Sequence, residues 1–305
     1  MLSFTLRRMF RGILTLWMVV TLVFIGLRLS GDPVVLMLGD EASPDAVEAL
    51  REKFGLNESL PVQYVSYLQT VASGDFGNSL RERRPATEIV LERIPATIEL
   101  SAAALSLAVV IGVPAGIYAA LRRNTLVDRG LMAFAFFGQS APGFFVGIIL
   151  ILVFSMTFQV LPSSGRGTWQ HLLMPALTLS TFGVASIARL TRSATLEVLG
   201  NEYVRTARAK GLREFSVQTR HVMRNAAIPV VTVLGLQVGL AISGAIVVEH
   251  VFAWPGMGRL VINSVMNRDY PVIQLAVMVI ATSVVLVNFA VDVIYGLLDP
   301  RIRYE

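Results

Sequence analysis

The side chains that usually carry chemistry are scarce in this sequence, and their spacing excludes most of it. Lysine occurs only at Lys53 and Lys210, and neither follows a glycine. The G-x-x-x-x-G-K-[ST] loop that cradles nucleotide phosphates is therefore absent, and the chain does not hydrolyse nucleotide by itself. His171, His221 and His250 lie far apart and there is no cysteine, so no metal-ligand spacing exists. Neither H-E-x-x-H nor G-x-S-x-G occurs. The triplet Asp75-Phe76-Gly77 lacks the glycine-rich loop, strand lysine and catalytic-loop residues that a kinase requires. The sequence offers no catalytic residue and no metal site.

What it does offer is charge between two apolar segments. Residues 189–227 carry eight Lys/Arg against three acids, centred on Glu202-Tyr203-Val204-Arg205-Thr206-Ala207-Arg208-Ala209-Lys210-Gly211-Leu212-Arg213. The pattern predicts a helix over Arg192–Ala209, a stop at Gly211 and a second helix over Glu214–Met223. Gly211 suits the position after a helix end, where a positive φ is needed. Such a helix–glycine–helix unit, exposing Ala207, Leu212 and Phe215 beside arginines, can enter a groove on a partner. The other reading is an amphipathic loop lying on an anionic leaflet.

The elements that hold this segment are membrane spans. Hydrophobic residues make up 54% of the 305 residues and charged residues only 15%, and mean hydropathy is +0.64. A soluble domain carries about 25% charged residues. The net charge of +5 does not form a stripe with interleaved aromatics, as a nucleic-acid surface would. It punctuates the apolar runs, as arginines do when they hold loops on the cytoplasmic side. Apolar runs at roughly 12–27, 97–121, 130–158, 172–190, 228–249 and 272–298 each approach the length that crosses about 30 Å of hydrocarbon. Arg7, Arg8 and Arg11 precede the first run, and no small-x-small cleavage site follows it, which favours a retained span over a signal peptide.

The loop from Arg122 to Arg129, the 189–227 segment and the tail Arg301-Ile302-Arg303 are basic, whereas 162–170 and 250–271 are not. The expectation is an all-α polytopic membrane protein of six transmembrane helices with both termini cytoplasmic. Its segments are a first span in 1–29, an extracytoplasmic region with short helices in 30–95, and a core in 96–305 that includes the 192–227 segment. In the extracytoplasmic region, Ser43-Pro44-Asp45 reads as a helix start, Gly55 as its end, about Pro61 to Ala72 as a second helix, and Gly74-Asp75-Phe76-Gly77 as a turn.

Within the spans, the residues Gln139, Gln237 and Asn288 either line a solute path or hydrogen-bond between helices. The carboxylates Glu99 and Asp292 do not sit at the midplane position expected of an ion-coupled carrier. Pro142, in Gly138-Gln139-Ser140-Ala141-Pro142-Gly143, either kinks its span or is tolerated by packing.

The segment Glu202–Leu212, followed by Arg220-His221-Val222-Met223-Arg224-Asn225-Ala226-Ala227-Ile228-Pro229, resembles the EAA loop of ABC importer permeases. It is most similar to that of the dipeptide/oligopeptide/nickel permease group. Arg205-Thr206-Ala207 takes the Glu-Ala-Ala place, with Gly211 four residues later. The departures are Arg205 for the glutamate and Met223-Arg224 for Leu-Pro; Arg-Thr-Ala is usual in the peptide group. The likeness extends to Leu6-Arg7-Arg8, Gly74-Asp75-Phe76-Gly77-Asn78-Ser79, Phe252-Ala253-Trp254-Pro255-Gly256-Met257-Gly258 and Asp299-Pro300-Arg301.

The resemblance implies a multi-pass permease subunit of the bacterial inner membrane. It would work with a second, homologous permease, two ABC ATPase subunits and an extracytoplasmic solute-binding protein, and with no nucleic acid. ATP and Mg would be bound by the ATPase partners, so the chain itself needs no cofactor. Arg205, Thr206, Ala207, Arg208, Lys210, Gly211, Leu212 and Arg213 would couple to the ATPases. Trp254, Pro255, Gly256, Met257 and Gly258 would either form a re-entrant lid facing the binding protein or be a plain surface turn. The rival reading is a secondary transporter or channel working without ATP, which would need a midplane ion site and, in many folds, paired repeats.

Overall fold

A computed structural model describes residues 2–29, 34, 43–53 and 56–298. Eleven α-helices of eight or more residues organise the described chain: α1 (Leu2–Leu29), α2 (Pro44–Lys53), α3 (Leu60–Ser73), α4 (Ala86–Leu121), α5 (Leu126–Ser140), α6 (Gly143–Leu150), α7 (Trp169–Leu199), α8 (Glu202–Ala209), α9 (Arg224–Val251), α10 (Met257–Met266) and α11 (Tyr270–Leu298). Among the described residues, β-pairing is confined to one bridge, Asn78 with Pro85. Helices α2 and α3 lie where the sequence places them, with Pro44 opening α2 and Gly74, at φ 72°, closing α3. The expected helix end at Gly55 and the Asp299-Pro300-Arg301 tail lie outside the described residues.

Among the described residues five helices are long and apolar enough to cross a membrane, and a bent pair brings the number to six if it counts as one span. The span expected over 130–158 is not straight: α5 and the Gly143–Thr157 helix meet at 107°. Pro142 explains the break, since its ring excludes the α conformation from the residue before it. Ala141 is accordingly extended, at φ −73° and ψ 129°. The second arm passes from α6 into π-helical turns over Ile151–Thr157. Helix α4 begins at Ala86, well before the apolar run expected from 97, and has 36 residues. At 1.5 Å per residue it spans about 54 Å, so part of it stands outside about 30 Å of hydrocarbon.

The chain forms two compact units, Met1–Pro95 with Gly256–Glu305, and Ala96–Pro255. In the first unit α1 runs against α11 closely enough that a Cβ on Gly12 would lie 3.0 Å from Val285. Its core gathers Phe76, Ile89, Val90, Met257 and Val272. Buried Asp269 clasps the turn before α4 by accepting from Ser79 Oγ and from the Leu80 amide.

In the second unit α7 is the central post. Glycines let α4 approach it: a Cβ on Gly112 would lie 3.0 Å from the Val184 carbonyl, and one on Gly116 2.4 Å from the Ala188 carbonyl. Gly112 and Gly116 form the small-xxx-small pattern by which helices meet in lipid, where close packing must do what hydrophobic burial does in water. A second core joins Leu100, Met174, Phe252 and Trp254.

Candidate coupling site

The basic segment is ordered by what flanks it. Helix α7 continues the span without a break to Leu199, and the chain then turns at Gly200-Asn201. The helix expected over Arg192–Ala209 is therefore two helices, the end of α7 and the eight-residue α8. Asn201 is extended at φ −75° and ψ 144°. It interrupts a run whose composition is otherwise helical.

The stop at Gly211 is as expected. Gly211 has φ +76°, its N–H donates to Arg208 O at 2.9 Å, and the Leu212 N–H donates to Ala207 O at 3.4 Å. This is a Schellman end, in which a left-handed residue lets the chain satisfy the last carbonyls of the helix. The second expected helix is not separate. A short turn at Glu214–Ser216 passes through π-helical Val217–Met223 directly into α9.

One face of α8 is buried. Val204 and Ala207 pack with Ala194 and Val198 of α7, with Val217 and Val222 of the π segment, and with Ala226 of α9. Ala207 is only 6% exposed, which corrects the expectation that it presents itself to a partner. It anchors the helix instead. The outward face carries Arg205, Arg208, Lys210 and Arg213, with Leu212 and Phe215 exposed at the tip.

Arg208 spans the Gly211 turn to Glu214, Nε to Oε2 at 3.1 Å and Nη2 to Oε1 at 2.8 Å. The guanidinium of Arg208 holds the Glu214 carboxyl below its ordinary range. Both groups are well exposed, so the pair shapes the turn and contributes little to stability. The Arg205 guanidinium bonds Glu202 at 2.9 Å.

Upstream, buried Asp128 in the first turn of α5 takes a two-pronged bond from Arg192 of α7, at 2.6 and 2.8 Å. Asp128 also accepts from the Asn124 amide at 2.9 Å. This pair, 64 residues apart, fixes α7 about two turns before its end at Leu199. By sequence Asp128 falls in a short basic loop, although Thr125-x-x-Asp128 has the form of a helix start. Asp128→Ala removes the buried carboxylate and leaves Arg192, about a quarter exposed, without that partner, and is expected to cost about 1–3 kcal/mol. A drop in the thermal midpoint of the detergent-solubilised chain, relieved by Asp128→Glu more than by Asp128→Asn, would show it.

The other expected site residues are placed as follows. Gln237 is buried in α9 and lines a cavity of about 530 Å³ between α4, α5, α6, α7 and α9, together with Gly138, Thr178, Thr181 and Ser243. Gln139, half-buried, is not among the residues lining that cavity. Asn288 belongs to the first unit and is exposed on α11. Trp254 is wholly buried, its Nε1–H donating to Ala96 O at 2.8 Å. Arg166 lies 5.8 Å from the centre of its ring and donates from Nε to Glu99 at 2.8 Å. In the first unit Met257 and Gly258 are buried. Gly256 of the first unit is buried as well, and Pro255 of the second is half-buried. Sequence reasoning also missed Glu249, fully buried in the last turn of α9 and accepting from Thr97 Oγ1 at 2.6 Å.

Residues 112–304 match the family described as the binding-protein-dependent transport system inner membrane component, and residues 1–101 match its N-terminal companion. The chain belongs to this family. It is the permease component of an ABC importer, a multi-pass protein of the inner membrane. The permease is 43% identical over 306 residues to the glutathione transport system permease protein GsiC of Escherichia coli strain K12, covering 100% of each chain. To the protein of the same name from Salmonella typhi it is 44% identical, again with 100% of each chain covered.

Among solved structures the fold of the permease is shared with the MetNI methionine ABC transporter in inward-facing conformations. That match has a TM-score of 0.60 and 18% identity, and covers 70% of this chain and 97% of that one. An amino acid ABC transporter with histidines matches at a TM-score of 0.51 and 16% identity, covering 70% and 94%. Permeases of this kind work with ATPase and binding-protein partners, and ATP hydrolysis lies in the ATPase subunits.

Proposed function

We propose that the chain forms half of a translocation pathway for di- or oligopeptides and is driven through α8. The observation that carries this reading is the placement of α8: buried on one face against α7 and α9, exposed with Leu212 and Phe215 among arginines on the other. A push on the tip reaches two spans at once through a shared apolar core. ATP-driven closure of two ATPase subunits would move this element, and the spans would rock between inward-open and outward-open states together with a second, homologous permease. Nucleotide must then favour one permease state by a differential free energy delivered through that contact. An extracytoplasmic binding protein would deliver the solute. The peptide class is supported by the glutathione named for the relatives and by the Arg-Thr-Ala segment. Arg205, Thr206, Arg208, Lys210, Gly211, Leu212 and Arg213 surround the proposed contact, with Ala207 seating it. The cavity around Gln237 is the proposed pathway wall.

Coexpressed ATPase subunits are expected to copurify with the wild-type chain and to be lost from Leu212→Asp and Phe215→Asp. Retention by both variants would remove α8 as the contact. The proposed orientation places both termini in the cytoplasm. A reporter fused at Asn124 should then read cytoplasmic and one at Gly165 extracytoplasmic, and the reverse pattern would invert it.

A further inference from the structure

The cavity of about 530 Å³ in the second unit is walled without charge: its described lining residues include no Asp, Glu, Lys, Arg or His. Gln237, only 5% exposed, lines it. The side-chain amide of Gln237 makes no hydrogen bond to any described residue, so its desolvation is uncompensated. The hydroxyls on the same wall differ. Those of Thr178, Thr181 and Ser243 each donate inside their own helix, to Met174 O at 2.8 Å, Leu177 O at 2.9 Å and Gly239 O at 3.2 Å. Their oxygens face the cavity as acceptors.

The first two residues of α6, Gly143 and Phe144, line the same cavity. The break at Pro142 leaves their amides free. Phe145 and Val146 carry the first N–H groups of this arm to find a partner, both donating to Pro142 O, at 3.0 and 3.2 Å. The N–H groups of Gly143 and Phe144 bond to no described residue. Orphan donors and the positive end of the helix dipole make such a start a place for negative charge. The arm behind them continues through π-helical turns to Thr157. Unpaired backbone inside a membrane is tolerated where it lines a water-filled cavity, not against lipid.

We propose that this cavity holds the acid group of a passing solute, with the Gln237 side chain and the Gly143 and Phe144 backbone amides donating to its carboxylate. The hydroxyl oxygens then accept from the solute's own N–H groups. A peptide carries both, a carboxylate at one end and N–H groups along its chain. Its ammonium end meets no carboxylate here and is not recognised. Neutral donors without a cation keep the grip weak, and a pathway must release what it admits. The inference rests on the reading of this cavity as a pathway wall and adds what that wall selects.

The chain has no cysteine, so Ser243→Cys places a single thiol on the wall. The test is the rate at which a water-soluble methanethiosulfonate labels it, read by mass spectrometry of this chain in membrane vesicles from cells producing it with its partner subunits. Dialanine and N-acetyl-dialanine are expected to slow labelling at similar concentrations. The C-terminal amide of dialanine should need about tenfold more, the loss typical of a hydrogen bond to a charged group. Adding Gln237→Leu should raise the dialanine concentration needed by about tenfold, and unchanged protection would overturn the role of Gln237. The same variant should leave the thermal midpoint unchanged or higher, because it removes an unpaired buried amide. A fall would mark the glutamine as structural and count against the proposal. Labelling that all three probes slow alike, or that none slows, overturns the acid-group inference and leaves the pathway reading standing. A thiol reached only by a lipid-soluble maleimide means a dry cavity, and both readings then fall together.

Discussion

Gly211→Pro is expected to give a permease that inserts in the membrane, accumulates normally, and neither imports solute nor stimulates ATP turnover by its partners. Proline holds φ near −65°, whereas Gly211 sits at +76°. It also removes the N–H that closes α8 onto Arg208 O at 2.9 Å. The tip bearing Leu212 and Phe215 would then leave its present direction, while the spans, which make none of these bonds, would remain. A graded series separates geometry from damage. Asparagine tolerates the left-handed region and should keep most of the transport, whereas alanine pays about 1–2 kcal/mol for it and should fall between. Uptake and stimulated ATPase activity in reconstituted vesicles are the readouts, with size-exclusion profiles as the control for folding. Normal uptake by the proline variant would mean that the orientation of the tip does not matter, and the coupling role of α8 would fall with it.

The second large effect belongs to Gly116. A Cβ there would lie 2.4 Å from the Ala188 carbonyl and 2.7 Å from Thr191 Cβ, so one or other helix must move. Overpacking usually costs about 1–3 kcal/mol, and here the obstacle includes backbone, which cannot rotate away as a side chain can. Gly116→Ala should lower the thermal midpoint by several degrees, and Gly116→Leu should prevent accumulation of folded protein. Gly130→Ala, on α5 with nothing within 4 Å of the added atom, is the matched control and should be neutral or slightly stabilising, since alanine is the better helix former. An unaffected Gly116→Ala would show that α4 and α7 are not held at the distance described.

These two glycines also show what could be read from the sequence and what could not. Gly211 was legible because its role is local: a polar helix ends, the chain must reverse, and one residue type does this without strain. The apolar runs were legible for the same reason, since length and composition suffice to recognise a span. The role of Gly116 depends on which helix lies opposite, and nothing in Gly112-Val113-Pro114-Ala115-Gly116 names α7. The pairing of Asp128 with Arg192 is hidden likewise, because the partners are far apart in the chain and meet only after two helices have packed. Ala207 was misread for a related reason. Alanine suits either face of a short helix, and burial of that face is decided by Val198, Val217 and Val222. The break at Gly200-Asn201 was missed because the residues on both sides are good helix formers.

The bend at Pro142 has a consequence that reaches beyond its own helices, because it carries the parity of the chain. If α5 and α6 with its π-helical turns cross the bilayer as one broken span, α1, α4, this pair and α7 make four crossings before α8. The basic segment then lies on the same side as Arg7, Arg8 and Arg11. If the pair turned back, only three crossings would precede α8, and the eight Lys/Arg of 189–227 would face the opposite compartment. The distribution of positive charge favours the even count. On that reading a single proline-led corner keeps α8 within reach of the compartment that holds ATP, and the two reporters proposed at Asn124 and Gly165 lie on either side of that corner.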